Sequence, residues 1–378
     1  MLKKVVIWIC TLSLLMGTCL AAPEVKAPSC LLMDRATGEV LYEKNADERL
    51  APASVTKVMT LLLVMEAIDR GQLHWEDTIT VSAAAAAKGG SQVYLEEGEQ
   101  MPLWEMVKCV VVSSANDCAT ALAEAVAGSE SGFVEKMNQR AGELGMENTH
   151  FANCTGLDDE AGPDVHYTTA RDIAIMSRQL LGHDRIREYT TIWMDTIRDG
   201  AFGLSNTNKL VRFYSGTTGL KTGFTSSAGY CMSATAERDG MELIAAVMHC
   251  ESSTDRFESA KALLDYGFAA YTLVSPLGDE VISPVPVTLG TEETVAAVPQ
   301  NDAPVLLAKE SAAAVERTVQ LAPKVSAPVE QGQVLGSVTL KTEDSVLAEV
   351  PLVAERGVKK LTWGQIMLRM MAALWMAE

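Results

Sequence analysis

The chain has 378 residues, of which 48% are hydrophobic and 21% are charged. This is the composition of an ordinary globular protein with room for two domains. Its formal net charge is −18, whereas a nucleic-acid-binding protein would carry a basic stripe, so we expect no nucleic-acid partner.

The N-terminal segment predicts export. Two lysines precede an apolar stretch over residues 5–20, and two alanines follow it. This is the pattern of a cleavable signal peptide, with cleavage after Ala21 or Ala22. An uncleaved anchor is the alternative, but the apolar stretch is short for a membrane span, which needs about 20 residues. We therefore predict that residues 1–21 are a signal peptide and that the protein is exported.

Six cysteines follow this signal, and several of them lie in apolar runs. A chain of this size needs no disulfides to form a core, so we expect most of them to be buried thiols, although disulfide pairing stays open outside the cytoplasm. No Cys-x-x-Cys pair and no histidine cluster occurs, so the sequence predicts no metal site and no cofactor. The six are Cys30, Cys109, Cys118, Cys154, Cys231 and Cys250.

The first predicted elements are a β-hairpin and a buried helix. Residues 29–34 and 39–43 have the pattern of two short strands joined by a tight turn. Pro52 and Ser54 then mark the start of a helix that runs to about Arg70. This helix is apolar on nearly every face, which indicates a helix in the middle of a domain.

Ser54 and Lys57 at the start of this helix form a candidate chemical pair. Residues three apart on a helix lie over the same face. A serine hydroxyl is a poor nucleophile until a base takes its proton, and a lysine in an apolar interior can be neutral enough to do so. For an isolated Ser-x-x-Lys we would favour a capping serine and a solvated lysine; motifs further along the chain reverse that preference.

The rest of this half alternates between strands and helices. Strands at both ends and helices between them predict one α+β domain over residues 28–274, an antiparallel sheet packed by helices. The segments in chain order are a strand at 78–81, an alanine-rich piece at 83–87, a polar loop at 89–91, helices at 101–112 and 118–127, a helix from 169 to about 181 with capping-box spacing, strands at 219–223, 229–236 and 241–250, and a helix at 255–266.

Residues 275–356 have a different composition, with prolines among short valine-rich runs. Residues 281–282, 334–340 and 348–352 are predicted strands of a small all-β domain. Nothing in this segment suggests chemistry, and we interpret it as a spacer or stabilising domain.

The final segment, residues 357–378, predicts an amphipathic helix. Arg369 in its middle argues against a membrane-spanning helix. A last helix packed on the protein is one interpretation. Two tryptophans, Trp363 and Trp375, together with the lysines before them, favour a helix that lies in the membrane interface.

Two further motifs can carry chemistry. Ser114-Ala115-Asn116 lies at a predicted junction between helices, where a serine and an amide can relay a proton and hold a substrate amide. Lys221-Thr222-Gly223 lies on a predicted strand, where the glycine would let a ligand's backbone approach the sheet edge. Alone, each is more often a helix start or a strand end. The Ser-x-x-Lys, Ser-x-Asn and Lys-Thr-Gly motifs in this order characterise class A β-lactamases and penicillin-binding proteins.

The chain resembles the low-molecular-mass penicillin-binding proteins, the serine-type D-alanyl-D-alanine carboxypeptidases of bacterial cell walls. The resemblance covers nearly the whole chain and implies a penicillin-binding/serine β-lactamase-like transpeptidase domain, a small all-β domain and a C-terminal amphipathic helix. It is strongest to the sporulation-associated carboxypeptidases of endospore-forming bacteria. Besides the three motifs it rests on segments at 32–38, 52–54, 145–151, 169–172, 219–225, 228–231 and 265–268.

The resemblance implies a role for each catalytic motif residue. Ser54 would attack the carbonyl between the last two D-alanines of the stem peptide, releasing D-alanine and leaving an acyl-enzyme. Lys57 would be the base, its pKa lowered by burial and by the charge of Lys221. Ser114 would pass a proton to the leaving amine, and Asn116 would bind the acyl-side amide.

The same resemblance implies a set of substrate-binding residues. The oxyanion would lie between the backbone N–H groups of Ser54 and Phe224, next to Gly223. Thr222, helped by Arg256, would hold the terminal carboxylate. An ordinary surface arginine at a helix start is the alternative interpretation of Arg256.

The implied partners are a peptidoglycan stem peptide ending in D-Ala-D-Ala, β-lactam antibiotics as covalent inhibitors, and a membrane surface that binds the C-terminal helix. The implied location is the extracytoplasmic face of the bacterial cytoplasmic membrane. Two other functions remain open, a β-lactamase-like serine hydrolase and a non-catalytic wall-binding scaffold. The deacylation motif Glu-x-x-Leu-Asn is not seen after Asn116, which argues against the first, and the intact motifs argue against the second.

Overall fold

A computed structural model describes residues 22–158, 165–278, 280–301, 303–342 and 345–375, without the side chains of 372–375. The predicted signal peptide lies outside these residues. The described strands are β1 Ser29–Asp34, β2 Val40–Lys44, β3 Thr78–Thr80, β4 Gln100–Pro102, β5 Met194–Ile197, β6 Phe202–Ser205, β7 Thr217–Thr225, β8 Gly229–Arg238, β9 Met241–Cys250, β10 Tyr271–Val274, β11 Val285–Thr288, β12 Thr294–Val295, β13 Ala297–Pro299, β14 Val305–Ala308, β15 Glu316–Leu321, β16 Val325–Ser326, β17 Val334–Lys341 and β18 Val346–Ala354.

A short 3-10 turn over Ala53–Thr56 precedes the first helix. The described α-helices are α1 Lys57–Asp69, α2 Ala83–Ala86, α3 Leu103–Val112, α4 Asn116–Ala127, α5 Glu130–Glu143, α6 Ala170–Leu180, α7 Ile186–Thr190, α8 Leu210–Phe213, α9 Ser253–Ala270, α10 Lys309–Ala313 and α11 Trp363–Trp375.

The first domain is built on one five-stranded sheet in the order β2-β1-β9-β8-β7, with every neighbouring pair antiparallel. The predicted β1–β2 hairpin forms, and β8 and β9 form a second one. The β8–β9 turn has positive φ at Asp239 (51°) and Gly240 (76°), the backbone that lets a two-residue turn match the twist of its strands. The predicted antiparallel sheet is confirmed.

Helices cover both faces of this sheet because its strands are apolar on both sides. Alternate residues of β9 point to opposite faces: Ile244, Ala246 and Met248 join a core with α1, α3, α4 and α6. Leu243, Ala245 and Val247 join a second core with α9. Helix α1 lies in the first core and is buried over nearly all of its length, as its uniformly apolar sequence predicts.

Several element boundaries differ from the sequence prediction. The helix expected from residue 101 begins at Leu103, because Met101 pairs with Ile79 in the small antiparallel sheet of β3 and β4. Helix α5 was not predicted. The Ser129 hydroxyl caps it by accepting the N–H of Gly132, and a narrow stripe of Phe133, Met137 and Ala141 buries it in a mostly polar sequence.

Between Val274 and α11, the described residues form only β-strands and irregular segments apart from the short helix α10. Its main sheet has the order β13-β18-β17-β15, and a smaller one has the order β12-β11-β16. The predicted strand at residues 281–282 is wrong: both residues are irregular and Val281 is 91% exposed. The first strand of the region is β11, where Val285 and Val287 reach the small core.

Helix α11 presents apolar side chains to the outside. Trp363 is 85% exposed, and Leu368, Met370 and Met371 are also exposed. Arg369 donates to the backbone oxygens of Gly290 (3.3 Å) and Thr291 (3.1 Å), which ties the helix to the all-β region. Within the described ranges no helix is both long and apolar enough to cross a membrane.

All six cysteines beyond the predicted signal are buried free thiols. The expectation for these residues is confirmed.

Candidate active site

Ser54 lies on the 3-10 turn and Lys57 is the first residue of α1, and the Lys57 N–H closes the turn by donating to the backbone oxygen of Ser54. Residues three apart are eclipsed in 3-10 geometry, so Lys57 Nζ lies 2.9 Å from Ser54 Oγ. Ala53, the first residue of the turn, has a φ of +48°. A residue with a Cβ resists this conformation, so the surrounding structure must hold the turn in place.

Lys57 is fully buried although it carries an amine. Besides Ser54, the amine contacts the backbone oxygen of Thr155 at 2.8 Å. Burial lowers the pKa of Lys57 from its ordinary 10.5 to about 7, because desolvation disfavours the charged form. A large share of the amine is therefore neutral near pH 7 and has a lone pair that can accept the Ser54 proton.

Ser114 lies at the break between α3 and α4. Its φ is +63°, a conformation that costs a serine about 1–3 kcal/mol and often marks a functional site. Its Oγ accepts a hydrogen bond of 2.8 Å from Lys221 Nζ. The site therefore contains two serine–lysine pairs, one from the 3-10 turn and one that joins the α3–α4 junction to β7.

Lys221 is buried in the middle of β7. Burial, and then repulsion from Lys57, lower its pKa well below the ordinary value. The sequence led us to expect that burial and the charge of Lys221 would both lower the pKa of Lys57. In the structure burial is the main cause at Lys57, and at Lys221 burial is followed by the repulsion between the two amines.

Asn116 begins α4 with its side chain 2% exposed. Its Nδ2 donates to the backbone oxygen of Gly89 at 2.7 Å, while its Oδ1 is buried and has no partner among the described residues. A Cβ on Gly90 would lie 2.6 Å from Nδ2, so only glycine fits there without displacing the amide. The free Oδ1 is an acceptor available to a ligand's N–H.

The two residues after Lys221 contact the protein itself. The Thr222 hydroxyl donates to Thr207 Oγ1 at 2.7 Å. We expected Gly223 to make room for a ligand, but a Cβ there would instead meet Pro52 O at 2.7 Å and Ser54 N at 3.0 Å. The glycine therefore lets β7 pack directly on the 3-10 turn. Phe224 follows, half exposed, with its ring 4.3 Å from that of Tyr230.

Arg256 is not a surface arginine, because only 6% of it is exposed. Its Nη1 donates to the backbone oxygen of Gly223 at 3.1 Å, and its guanidinium lies against the rings of Tyr230 and Phe257. Its Nε is buried without a partner in the described part of the chain. The arginine thus supports the end of β7 next to Thr222 and Gly223.

Three residues that the sequence did not predict complete the site. Thr155 contributes only a backbone oxygen to Lys57, and a backbone contact cannot be predicted from the identity of the side chain. Thr207 follows Ser205 and Asn206 in a segment without a recognisable pattern. Asp117 accepts the N–H groups of Val93 and Leu95, which fixes the loop over Asn116. Its place directly after the Ser-Ala-Asn motif was the one available signal.

No group of three or more His, Cys, Asp or Glu side chains is placed to hold a metal ion in the parts of the chain that the structure describes.

Comparisons with known proteins identify relatives along both regions. Residues 16–252 match the peptidase S11 family, described as D-alanyl-D-alanine carboxypeptidase, and residues 271–360 match the C-terminal domain of penicillin-binding protein 5. The D-alanyl-D-alanine carboxypeptidase DacF of Bacillus subtilis is 41% identical over 341 residues, which are 89% of this chain and 86% of that protein.

Solved structures agree with these matches. Penicillin-binding protein 5 from Haemophilus influenzae superposes with a TM-score of 0.75 at 30% identity, over 90% of this chain and 100% of that one. Penicillin-binding protein D2 from Listeria monocytogenes, solved in an ampicillin-bound form, superposes with a TM-score of 0.59 at 32% identity, over 65% of this chain and 98% of that one. The predicted family and fold class are confirmed: this chain belongs to the peptidase S11 family of D-alanyl-D-alanine carboxypeptidases.

Proposed function

We propose that the chain is a serine D-alanyl-D-alanine carboxypeptidase that removes the terminal D-alanine from peptidoglycan stem pentapeptides. The observation that carries this proposal is the Ser54–Lys57 pair. Its 2.9 Å contact joins a hydroxyl to a fully buried amine whose pKa is lowered to about 7. Such an amine is a general base near its working pH, which is the condition for efficient proton transfer.

In the acylation step, Lys57 takes the Ser54 proton as Oγ attacks the carbonyl of the penultimate D-alanine. The peptide bond to the terminal D-alanine then breaks, and its nitrogen needs a proton. Ser114, hydrogen-bonded to Lys221, supplies that proton, which is replaced through the lysines. The products are free D-alanine and an ester on Ser54, which water then hydrolyses.

The neighbouring groups would orient the substrate and stabilise its developing charge. The unpartnered Oδ1 of Asn116 accepts the amide N–H on the acyl side. The oxyanion lies between the backbone N–H groups of Ser54 and Phe224, and losing one such donor typically costs about 3 kcal/mol of barrier. The packing of Gly223 against Ser54 N brings these two segments together.

Thr222 binds the terminal carboxylate through its hydroxyl. Arg256 does not contact the carboxylate. Its buried guanidinium donates a hydrogen bond to the carbonyl of Gly223, and its positive charge attracts the carboxylate through the end of β7. The same geometry would accept a β-lactam, whose carboxylate and amide imitate those of the substrate. We therefore propose that penicillins acylate Ser54 covalently.

The proposed test is incubation of the purified protein with a pentapeptide ending in D-Ala-D-Ala, with free D-alanine measured over time. A peptide ending in D-Ala-L-Ala is the matched control and should release little alanine. Penicillin should form a long-lived covalent adduct. Rapid turnover of penicillin without D-alanine release would establish a β-lactamase instead. If neither reaction occurred, the result would favour a non-catalytic wall-binding scaffold.

We also propose a placement in the cell and a division of the chain. Residues 28–274 form the catalytic domain, residues 275–356 the all-β domain and residues 357–378 a terminal segment whose helix α11 lies in the outer face of the cytoplasmic membrane. The exposed apolar side chains of α11 and its preceding lysines support an interfacial position. The likeness to a sporulation-associated subgroup stays a prediction.

A further inference from the structure

His166 is a buried histidine outside the three motifs. It is 4% exposed, and its Nε2 lies 2.8 Å from the hydroxyl of Thr56, one residue before Lys57. Its Nδ1 accepts the backbone N–H of Ala152 at 3.2 Å. Because that N–H can only donate, Nδ1 must carry the lone pair. The proton of the neutral ring is then on Nε2 and is donated to Thr56.

The histidine joins two segments that must fit closely. One is the 3-10 turn that carries Ser54, and the other is the 152–158 loop. A Cβ on Gly156 would lie 1.9 Å from Ala53 O, so the two backbones are in direct contact. The same loop accepts hydrogen bonds from Thr60 at Cys154 O (2.6 Å) and from Lys57 at Thr155 O (2.8 Å).

This contact surface includes the Thr155 carbonyl to which the Lys57 amine donates. A 3-10 turn is less stable than an α-helical one, and this turn contains Ala53 in a conformation that alanine resists. If the turn relaxed towards α-helical geometry, Ser54 and Lys57 would no longer be eclipsed. A tertiary hydrogen bond to a side chain of the turn itself opposes that change.

We propose that His166 is a positioning residue for the nucleophile: its hydrogen bond to Thr56 holds the 3-10 turn on the 152–158 loop and so keeps Lys57 directed at Ser54. This inference rests on the proposed function. His166 touches no reacting group. It acts through Thr56 and through the loop whose Thr155 carbonyl holds the Lys57 amine.

The charge state of His166 suits this role. Burial lowers its pKa from 6.5 to about 4, His150 adds repulsion and Asp158 opposes it. The ring is therefore neutral at any pH at which Lys57 can act as a base, and it can accept from Ala152 and donate to Thr56 at the same time.

The test uses variants that keep or remove the hydrogen bond between His166 and Thr56. In His166→Asn the amide oxygen can still accept from Ala152 but cannot reach Thr56. In His166→Gln the longer amide can still donate to Thr56. Thr56→Val removes the acceptor, and Thr56→Ser keeps it. Leu264→Ala, a core truncation on the other face of the sheet, controls for loss of stability alone.

The measurement is the second-order rate constant of acylation by a fluorescent penicillin as a function of pH, with thermal unfolding of each variant. His166→Asn and Thr56→Val should each lower the rate by at least about tenfold, and the double variant should be no slower than the slower single one. The pH at which their acylation rate is half-maximal should move upward from about 7. A less tightly held Lys57 would be better hydrated, and its pKa would rise towards the ordinary value. His166→Gln, Thr56→Ser and Leu264→Ala should keep the wild-type midpoint.

Three outcomes would overturn the proposal. They are multiplicative effects in the double variant, an unchanged pH midpoint in His166→Asn and Thr56→Val, and an equal rate loss in Leu264→Ala. Failure of the wild-type protein to be acylated would instead count against the proposed function, so the two failures are distinguishable.

Discussion

At the scale of single residues, the chemistry depends on the hydroxyl of Ser54. Ser54→Ala should abolish both D-alanine release and covalent labelling by penicillin. It should change the free energy of unfolding by less than about 1 kcal/mol, since only one partly buried hydroxyl is lost. Labelling on a gel, D-alanine release and thermal unfolding measure the three effects. Ser129→Ala, at the start of α5, is a control that should keep full activity. Labelling that survives in Ser54→Ala would show that another serine is acylated.

Lys57 should set the pH dependence of acylation. Its pKa is lowered, so the neutral, proton-accepting form predominates above about pH 7 and is lost as the pH falls. The acylation rate should therefore fall about tenfold per pH unit below that value. Stopped-flow acylation across pH 5–9 measures the profile. A rate independent of pH over this range would mean that Lys57 is not the base.

Lys57→Arg tests the same role by substitution. Arginine keeps the charge but does not deprotonate at working pH, so acylation should fall by about 10²- to 10⁴-fold. The same labelling assay gives the rate. Near wild-type turnover in this variant would make Lys57 an electrostatic residue rather than a proton acceptor.

The element scale shows what a sequence can predict about such a site. The i to i+3 spacing predicted that Ser54 and Lys57 would meet, and the strand pattern placed Lys221 on β7. The 3-10 geometry and the depth of the site were not predictable. They depend on the 152–158 loop, which is almost 100 residues away and contributes mainly backbone atoms. Arg256 was ambiguous because its position at a helix start does not reveal that β7 and β8 cover it.

Gly156 is where this packing should be most sensitive. It has a φ of +84°, and a Cβ would overlap the carbonyl of Ala53. Gly156→Ala should therefore destabilise the protein by more than about 3 kcal/mol or displace the nucleophile turn and stop acylation. Gly145→Ala is the matched control, because Gly145 also has a positive φ (+73°) but open space around it. It should lose only about 1–2 kcal/mol and stay active. Equal effects in chemical denaturation would exclude close packing as the cause.

At the scale of the whole molecule, the residues just before α11 belong to the all-β region, and this determines where the proposed membrane helix can be removed. Val358 is buried and bridges to Val329, and the Leu361 N–H donates to the backbone oxygen of Leu289. The contacts of the all-β region thus continue past residue 356. A deletion should begin at Thr362, where the exposed part starts.

Deleting residues 362–378 should release the exported enzyme into the soluble fraction, with undiminished activity on a small soluble peptide. Membrane fractionation and D-alanine release measure the two effects. Trp363→Glu combined with Met370→Glu, on exposed positions of α11, should have the same effect without shortening the chain. A truncated enzyme that still pellets with membranes would contradict the proposed anchor.

The buried cysteines can be used to measure local opening of the structure, because a reagent reaches them only when the segments around them open. Burial raises the pKa values of Cys30 and Cys231 to about 11 and that of Cys250 to about 12, so their thiolates are scarce at neutral pH as well as shielded. An alkylating reagent should therefore modify the native enzyme only as fast as local segments open. Cys154 and Cys231 lie beside the nucleophile turn, at the 152–158 loop and on β8. Acylation by penicillin should slow their modification and leave that of Cys30 unchanged, which mass spectrometry of the alkylated peptides can resolve.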